Sequence, residues 1–299
     1  MSKCLVTGGA GFIGSNLVDA LIERDDEVII IDNLSTGKKE NLNSKAEFHN
    51  LDLRNLKDIK SLFKDIDYVF HLAALARVQP SIEDPVTYND HNVNGTLNVL
   101  VAARDAKVKK VVYSASSSAY GNQEKMPLTE DMETDPISPY GLQKYIGEQY
   151  CRLFSYVYEL PTVCLRYFNV YGPKMVLEGA YASVVGIFGN QRKNNKPMTI
   201  VGDGKQLRTY TYVKDIVKAN ILAAESDIND GQAINTGQSS EYSVNQIAKM
   251  IGGPTVSIPP RIEPRRNLCG NSLAKKLLNW QPTVDLPEWI VEYKKELGI

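Results

Sequence analysis

The stretch Lys3-Cys4-Leu5-Val6-Thr7-Gly8-Gly9-Ala10-Gly11-Phe12-Ile13-Gly14 joins a strand pattern to a helix pattern through a glycine-rich turn. Three of its glycines have the spacing G-x-x-G-x-x-G. Such glycines allow a tight turn, a close approach of backbone to a pyrophosphate and close packing of helix on strand. The first N–H groups of the following helix then point at the phosphates. The stretch predicts a dinucleotide site whose contacts in the turn are Gly8, Gly11, Phe12, Ile13 and Gly14.

Beyond this turn, short strand patterns alternate with helix patterns. Most of the strand patterns are near-continuous apolar runs, as in parallel strands that are covered on both faces. The predicted strands are Lys3 to Thr7, Glu27 to Ile31, Ala46 to Asn50, Tyr68 to Leu72, Lys110 to Ser114 and Thr162 to Arg166. The longer predicted helices are Gly11 to Arg24, Val93 to Ala103 and Tyr140 to Tyr158. This order predicts an α/β fold of the Rossmann type, with a doubly wound parallel sheet.

The pattern changes near Asn169, where loops with proline and glycine and shorter elements begin. We therefore expect a smaller α+β substrate-binding part at the C-terminal side. Ala233 to Thr236 has the pattern of a strand that returns to the main sheet. The predicted division is a dinucleotide-binding domain at 1–168, with 210–240 returning to it, and a substrate part at 169–209 and 241–299.

Composition limits the classes of function. The 299 residues carry a net charge of −1, and their lysines and arginines are spread along the chain, which argues against a nucleic-acid surface. The four cysteines, Cys4, Cys151, Cys164 and Cys269, are far apart in sequence, so no metal site is predicted. The strand pattern at Lys3 to Thr7 predicts no signal peptide, and no apolar run of about 20 residues occurs in the sequence. We expect a cytoplasmic protein with no membrane partner.

Asp32 ends the second predicted strand, eighteen residues after Gly14. A carboxylate there accepts hydrogen bonds from the adenosine ribose and repels a 2′-phosphate, which favours NAD over NADP. The alternative is a solvated aspartate at a strand end. Asp52, after the third strand, is expected to face the adenine. Leu72, Ala73 and Ala74 follow the fourth strand, where small residues let a ligand approach.

Tyr140 and Lys144 form a Tyr-x-x-x-Lys pair, one helical turn apart on the same face. Tyrosine has a reference pKa of about 10, and a nearby ammonium together with a positive nicotinamide favours its phenolate form. We expect Tyr140 to act as general base and acid on a hydroxyl. The alternative is a surface pair. Before this helix, a strand ends in a cluster of serines at its carboxyl edge, where such sheets bind ligands. The histidines at positions 49, 71 and 91 are interpreted as structural.

The chain resembles the extended short-chain dehydrogenase/reductase family, in particular its sugar-nucleotide epimerases. The matching segments extend nearly end to end: Thr7 to Gly14, Asp32 to Ser35, Leu51 to Arg54, His71 to Ala74, Asn94 to Thr96, Ser116 to Gly121, Tyr140 to Lys144 and Leu165 to Pro173. The resemblance implies a tightly held NAD that is not consumed. It also implies that Tyr140 takes the proton of the sugar C4 hydroxyl while hydride passes to NAD, and that the 4-keto sugar turns over before hydride returns. Further cofactor contacts implied by it are Asn33, Ser35, Leu53, Ser114 and Tyr167, together with Tyr140 and Lys144.

In the family that this chain resembles, enzymes with different activities carry different residues at the position of the serine cluster. Its 4,6-dehydratases carry Thr-Asp-Glu where this chain has Ser116-Ser117-Ser118, and its UDP-glucuronate decarboxylases carry a glutamate nearby. The absence of a carboxylate here favours C4 epimerisation, with Ser116 as hydroxyl partner, on UDP-glucose/galactose or a UDP-N-acetylhexosamine. The alternatives are a decarboxylase, dehydratase or reductase of the same family, or a non-catalytic NAD-binding sensor.

The resemblance also implies a sugar-nucleotide pocket. In it, Arg208 grips the diphosphate, Asn267 limits the size of the sugar, and Arg77 contacts a substrate carboxylate or phosphate or is a loop charge. The full set of substrate contacts is Arg77, Ser117, Ser118, Asn169, Ala182, Thr199, Arg208, Arg261, Glu263 and Asn267. A homodimer is expected, paired through the helices predicted at Val93 to Ala103 and Tyr140 to Tyr158.

Overall fold

The computed structural model describes residues 1–179, 182–260 and 263–299 of the chain. Its strands, in chain order, are β1 (Lys3–Thr7), β2 (Glu27–Ile31), β3 (Glu47–His49), β4 (Tyr68–His71), β5 (Lys110–Ser116), β6 (Thr162–Tyr167), β7 (Val170–Tyr171), β8 (Met198–Val201), β9 (Leu207–Arg208), β10 (Thr211–Tyr212), β11 (Asp230–Thr236), β12 (Tyr242–Ser243), β13 (Thr255–Ile258) and β14 (Arg266–Asn267). Its helices are α1 (Phe12–Glu23), α2 (Leu56–Ile59), α3 (Val78–Glu83), α4 (Pro85–Asn89), α5 (Gly95–Ala106), α6 (Pro139–Tyr158), α7 (Val184–Lys193), α8 (Val213–Glu225), α9 (Val244–Ile251), α10 (Ser272–Leu278) and α11 (Leu286–Leu297).

Within these described ranges, seven strands form one parallel sheet in the order β11-β6-β5-β4-β1-β2-β3. The strand order reverses between β1 and β4, which is where sheets of this type bind their ligands at the carboxyl edge. The predicted Rossmann-type fold is confirmed. The predicted return of a late strand is also correct, because β11 pairs with β6 and places Thr236 opposite Tyr167.

The sheet is covered on both faces, so its central strands are apolar along most of their length. On one face, α1, α8 and α10 pack over a core that includes Val6, Ile30 and Leu165. On the other face, α5 and α6 pack over a second core, formed in part by Leu5, Ile31 and several alanines and valines of α5. The two cores hold the strands of the sheet in place, and with them the carboxyl edge at which ligands bind in sheets of this type.

The smaller part has its own core. Helices α7, α9 and α11 pack on the parallel pair β8–β13, around residues that include Phe188, Ile247 and Ile290. A three-stranded sheet, β12-β9-β14, lies beside it. Helix α9 begins with a capping box, in which the side chains of Ser243 and Gln246 bond to each other's backbone N–H groups. These elements form the wall that faces the sheet edge.

The predicted strand and helix boundaries lie within three residues of the observed ones, and two of the differences bear on the site. The helix predicted from Val93 begins at Gly95 and follows a π-helical turn, Asp90–Asn94, which the apolar pattern does not distinguish from α-helix. The fifth strand extends two residues further than predicted, to Ser116, so the serine cluster begins inside the sheet. None of the described helices combines the length and apolar composition that a membrane-spanning segment requires.

Candidate active site

A cavity of about 750 Å³ opens between the carboxyl edge of the large sheet and the smaller part. Every predicted site residue that the structure describes lines it. Those on the cofactor side are Gly8, Gly11, Phe12, Ile13, Gly14, Asp32, Asn33, Ser35, Asp52, Leu53, Leu72, Ala73, Ala74, Ser114 and Tyr167. The others are Ser116, Tyr140, Lys144, Arg77, Ser117, Ser118, Asn169, Ala182, Thr199, Arg208, Glu263 and Asn267. Arg261 lies outside the described residues.

The glycine-rich turn is shaped by contacts that a side chain would block. Gly8 has a positive φ of +74°, and a Cβ there would lie 2.7 Å from the backbone nitrogen of Ala73. A Cβ on Gly14 would lie 2.1 Å from the carbonyl oxygen of Gly8. The turn is therefore compact, and α1 begins directly at the cavity. Gly11 caps α1 without a side chain, so the first N–H groups of α1 have no side-chain acceptor at the cap, and Gly11, Phe12, Ile13 and Gly14 line the cavity.

Asp32 is held rigidly at the end of β2. Its two carboxylate oxygens accept backbone N–H groups of Ala10, at 3.0 Å, and of Leu34, at 2.8 Å. Burial raises the pKa of Asp32, while these two hydrogen bonds lower it. Each oxygen keeps a further lone pair, so the carboxylate can accept hydrogen bonds from a ribose diol.

Asp52 lies in the part of the cavity lining that is predicted to contact the cofactor. Arg54 donates to both of its oxygens, from Nε at 3.0 Å and Nη2 at 2.8 Å, and Asn33 donates at 3.1 Å. These hydrogen bonds hold the pKa of Asp52 far below its usual range. Both oxygens of Asp52 already accept hydrogen bonds, so the carboxylate holds Arg54 and Asn33 in place at this end of the cavity. Leu53 and the adjoining backbone line the same end.

Helix α6 carries the Tyr-x-x-x-Lys pair, and its start is well defined. Ser138 caps it by accepting the N–H of Gly141 at 3.1 Å, and Pro139 occupies the first helical position. Tyr140 therefore lies in the first turn, next to the sheet edge. One turn later, Lys144 is buried, and its ammonium donates to the carbonyl oxygen of Ser114 at 2.6 Å. The Lys144 ammonium also lies 4.9 Å from the centre of the Tyr113 ring.

Tyr140 and Ser116 both line the cavity. Burial raises the pKa of Tyr140, and the Ser116 hydrogen bond and the charge of Arg77 lower it. Within the protein, Ser116 and Arg77 are the groups that lower this pKa, and the Lys144 ammonium is bonded to the carbonyl of Ser114. The effect of Lys144 together with a bound nicotinamide stays a prediction. Burial also lowers the pKa of Lys144, to about 8.

The serine cluster is joined to the opposite wall. Ser116 ends β5, and its hydroxyl accepts the N–H of Ser118 at 3.1 Å. Ser117 accepts a hydrogen bond from the Asn267 side-chain amide, at 3.1 Å, across 150 residues of sequence. The amide oxygen of Asn267 is buried and has no hydrogen-bond partner among the described residues. An orphaned buried acceptor in a ligand cavity is suited to a donor from the ligand.

Arg208 and Glu263 bond to each other. Nη2 of Arg208 donates to Glu263 at 2.7 Å and to the carbonyl of Pro264, and Nη1 donates to the carbonyl of Leu207 at 2.8 Å. The pair is held further by Gln206, which donates to the second oxygen of Glu263 at 3.2 Å. The guanidinium is thus oriented on the cavity wall by its own protein, a feature that the spacing in sequence did not predict.

Several other predicted residues are held by specific partners. Tyr167 donates to Asn220 at 2.8 Å, Asn169 donates to the carbonyl of Thr209 at 2.8 Å, and Thr199 accepts from Gln191 at 3.0 Å. These bonds join the cavity lining to α8, to the segment after β9, and to α7. Each side chain is therefore fixed before any ligand binds.

Some lining residues were not predicted. His91 faces the cavity from the π-helical turn, although the histidines were interpreted as structural. Lys38, Met175, Phe188, Gln206 and Tyr210 also line the cavity. None of these residues belongs to a motif, and only the spatial proximity of separate elements brings them to one place. His71 is structural as expected: it is buried between Thr7 and Thr96, at 2.7 and 2.9 Å.

Residues 4–237 match the model of the NAD dependent epimerase/dehydratase family. The chain belongs to this family. It is 41% identical over 295 residues to a putative UDP-glucose 4-epimerase of Methanocaldococcus jannaschii, covering 96% of this chain and 95% of that one. Among solved structures, it is similar to a UDP-glucose 4-epimerase of Thermotoga maritima with UDP-glucose, at 39% identity and a TM-score of 0.94, covering 99% and 100% of the two chains. A UDP-N-acetylglucosamine 4-epimerase of Methanobrevibacter ruminantium, in complex with UDP-N-acetylmuramic acid, is also similar, at 38% identity and a TM-score of 0.92, covering 99% and 97%.

The cofactor of this family member is NAD. The residues present fit it. The closely packed glycine turn and the uncapped start of α1 suit a pyrophosphate, and the rigid carboxylate of Asp32 suits an unphosphorylated ribose.

Proposed function

We propose that this protein epimerises C4 of a UDP-hexose, either UDP-glucose/galactose or a UDP-N-acetylhexosamine, through transient oxidation to a 4-keto sugar. The observation that carries the proposal is that Tyr140 and Ser116 line the same cavity as the glycine turn and Asp32. A proton acceptor and a dinucleotide site that share one cavity are what oxidation of a sugar hydroxyl requires.

Bound NAD supplies the hydride acceptor and donor, together with a positive charge near the phenol. Tyr140 takes the proton of the C4 hydroxyl and later returns it. Ser116 holds that oxygen by hydrogen bonding and stabilises the keto form. Lys144, anchored on the Ser114 carbonyl, keeps a positive charge in the buried space behind the phenol.

The related activities receive less support from the site. Elimination of water needs an acid–base pair beside Ser116, and the serine cluster carries hydroxyls instead of carboxylates. A non-catalytic sensor would have no use for a tyrosine and a serine that line one cavity, with a buried lysine one helical turn away. The similar proteins include epimerases of both UDP-glucose and UDP-N-acetylglucosamine, which supports the two proposed substrate classes.

The substrate wall supports a sugar with a hydrogen-bond donor near C2. Asn267 is smaller than an aromatic side chain, and its unpartnered amide oxygen is suited to accept the N–H of an acetamido group. We assign the diphosphate to Arg208, which Glu263 orients. Arg77 stays a proposed contact for an anionic group of the substrate.

The deciding experiment is product analysis with the purified holoenzyme. Panels of UDP, GDP and dTDP sugars are incubated, and the products are identified by mass and by NMR. We expect a C4 epimer of unchanged mass from a UDP-hexose or UDP-N-acetylhexosamine. A 4-keto-6-deoxy product, or loss of carbon dioxide, contradicts the proposal in favour of dehydratase or decarboxylase. Absence of turnover on the whole panel favours the sensor.

We also propose the division of labour within the chain. Residues 1–168 with 210–240 hold NAD, and residues 169–209 and 241–299 hold the sugar nucleotide. The separate core of the smaller part supports this division. The four cysteines are unpaired and buried, which fits the reducing cytoplasm. Cell fractionation followed by immunodetection tests the location.

A homodimer through α5 and α6 is proposed from an exposed apolar stripe. Leu142, Leu153 and Val157 lie along the outer face of α6, at 47%, 48% and 51% exposure. Their spacing returns to one face of the helix every three or four residues. We expect a dimer by multi-angle light scattering, and a monomer for Leu153→Lys. Val291→Lys, at a residue of similar exposure on α11, is the matched control and should leave the dimer intact.

A further inference from the structure

A buried ion pair lies directly behind the catalytic pair. Glu148 follows Lys144 by one turn of α6, and both side chains are almost fully buried. Arg166 on β6 donates to the two oxygens of Glu148 from Nε at 2.9 Å and Nη2 at 2.7 Å. Burial raises the pKa of Glu148, whereas the Arg166 hydrogen bonds and the charges of Arg166 and Lys144 lower it and stabilise the carboxylate. The Arg166 guanidinium lies 4.6 Å from the centre of the Tyr120 ring, and within the part of the chain that the structure describes its Nη1 has no hydrogen-bond partner.

The other contacts of Lys144 carry no full negative charge. Its ammonium is bonded to the Ser114 carbonyl and lies near the Tyr113 ring. The titratable and charged groups that face it are Tyr140, Glu148 and Cys151 on its own helix, His71 on β4, Tyr113 on β5, and Cys164 and Arg166 on β6. Burial raises the pKa of Tyr113 and Cys164 and lowers that of His71 to about 3, so these three are neutral.

We propose that Glu148 is a positioning residue that supplies the counter-charge of Lys144, so that the ammonium persists behind Tyr140. The inference rests on the catalytic role proposed for Tyr140 and Lys144. Lys144, Glu148 and Arg166 are all almost fully buried, and both cations act on the Glu148 carboxyl group. The bidentate pair with Arg166 fixes the carboxylate in place, and the helical spacing of four residues points it toward Lys144.

The sign of the effect follows from the charges. Burial disfavours the ammonium and lowers the pKa of Lys144 to about 8, while Glu148 raises it. Removing the carboxylate lowers this pKa further, so Lys144 becomes neutral at a lower pH. If activity needs the ammonium, the alkaline limb of the kcat/KM profile moves to lower pH. The acid limb does not depend on this charge and stays in place.

The experiment removes each partner of the Glu148–Arg166 ion pair in turn and measures the Tm and the pH profile of the NAD-loaded enzyme. Glu148→Gln and Arg166→Met both leave a buried partner unpaired, so both should lower the Tm. The pH profiles should differ. We expect the alkaline limb of Glu148→Gln to move down by about one pH unit, the scale of one nearby charge. Arg166→Met should not move the alkaline limb to lower pH. In that variant Glu148 keeps its charge, and Lys144 is the buried cation that remains to interact with it.

The double variant, Glu148→Gln with Arg166→Met, separates charge from packing. It removes the whole ion pair, so the Tm should recover, yet the alkaline limb should stay shifted because Lys144 still lacks its counter-charge. It therefore decides the question even if Glu148→Gln alone does not fold. Glu148→Asp keeps the charge and should restore the wild-type limb. Glu159→Gln, at the exposed end of the same helix, should have no effect.

The inference is overturned if the alkaline limb of the folded double variant stays at its wild-type pH. It is also overturned if the alkaline limb of Arg166→Met moves to lower pH. Tyr140→Phe, measured in parallel, distinguishes this failure from failure of the proposed function. If Tyr140→Phe keeps wild-type turnover, the catalytic assignment itself is wrong. If Tyr140→Phe is inactive and the limb does not move, only the role of Glu148 is wrong.

Discussion

The two walls of the cavity are built in different ways. The cofactor wall consists of continuous segments that follow strands of one sheet, such as Gly8 to Gly14 after β1 and Leu72 to Ala74 after β4. The substrate wall consists of single side chains, such as Arg208 and Asn267, on two-residue strands. The first wall takes its shape from backbone packing in the sheet, whereas the second depends on side-chain pairs.

This difference teaches how each wall responds to mutation. A change in the cofactor wall acts through the backbone, because turns and helix starts there are packed within van der Waals distance of one another. A change in the substrate wall acts through one hydrogen bond or ion pair, such as Arg208 with Glu263. We expect all-or-none losses on the first wall and graded changes of KM or selectivity on the second.

The largest effect is expected for Gly14→Ala. The added Cβ would lie 2.1 Å from the carbonyl oxygen of Gly8, which forces the turn open. We expect loss of bound NAD, loss of detectable turnover and destabilisation by about 1–3 kcal/mol. NAD content is measured by absorbance after denaturing the purified protein, and stability by urea unfolding.

Gly95→Ala is the matched control for this change, at another helical glycine. Its Cβ would meet the Cβ of Leu53 at 3.5 Å, an ordinary contact. We expect unchanged NAD content and stability equal to wild type or up to about 1 kcal/mol higher. Equal NAD content in Gly14→Ala and Gly95→Ala would contradict the backbone account of the cofactor wall.

Tyr140→Phe removes the proton acceptor where the two walls meet. The loss of one general acid–base group should lower kcat by about 10²- to 10⁴-fold. NAD content should be unchanged, because the turn and Asp32 are untouched. Tyr145→Phe, on the same helix, is the control and should keep wild-type kcat. A Tyr140→Phe enzyme with the wild-type rate and pH profile would remove this tyrosine from the mechanism.

Arg208→Met tests the substrate wall alone. A hydrogen bond to a charged group contributes about 1.5–3 kcal/mol, so KM for the sugar nucleotide should rise by about 10- to 100-fold. Bound NAD should not change. Arg265→Met is the control, because that arginine pairs with Asp203 on the exposed surface. A loss of NAD in Arg208→Met would show that the two walls are not independent.

The smallest effect is expected for Asn267→Tyr. The larger ring fills space next to Ser117 and removes the unpartnered acceptor. Turnover of UDP-N-acetylglucosamine should fall relative to UDP-glucose by about 10-fold or more, the scale of a steric change in a pocket. The ratio of the two kcat/KM values is the measurement. An unchanged ratio would mean that Asn267 does not read the sugar.

The cofactor wall could be predicted from the sequence because the residues that form each of its parts are close together in the chain. The predicted strands Lys3 to Thr7 and Glu27 to Ile31 match the structure residue for residue. A strand, a glycine turn and an apolar helix occur within 24 residues, and their geometry allows one arrangement. Asp32 and the Tyr140–Lys144 pair follow the same logic, since each lies at a strand end or on one helix face.

The sequence alone thus determined the parallel sheet, the dinucleotide turn and the composition of the catalytic pair, because short-range sterics and apolar periodicity specify them. Only the tertiary structure decided that Ser117 meets Asn267, that Arg208 is oriented by Glu263, and that Glu148 and Arg166 lie behind Lys144. These partners are separated by 18 to 150 residues. Their pairing depends on how the two cores pack against each other, and no local pattern encodes that packing.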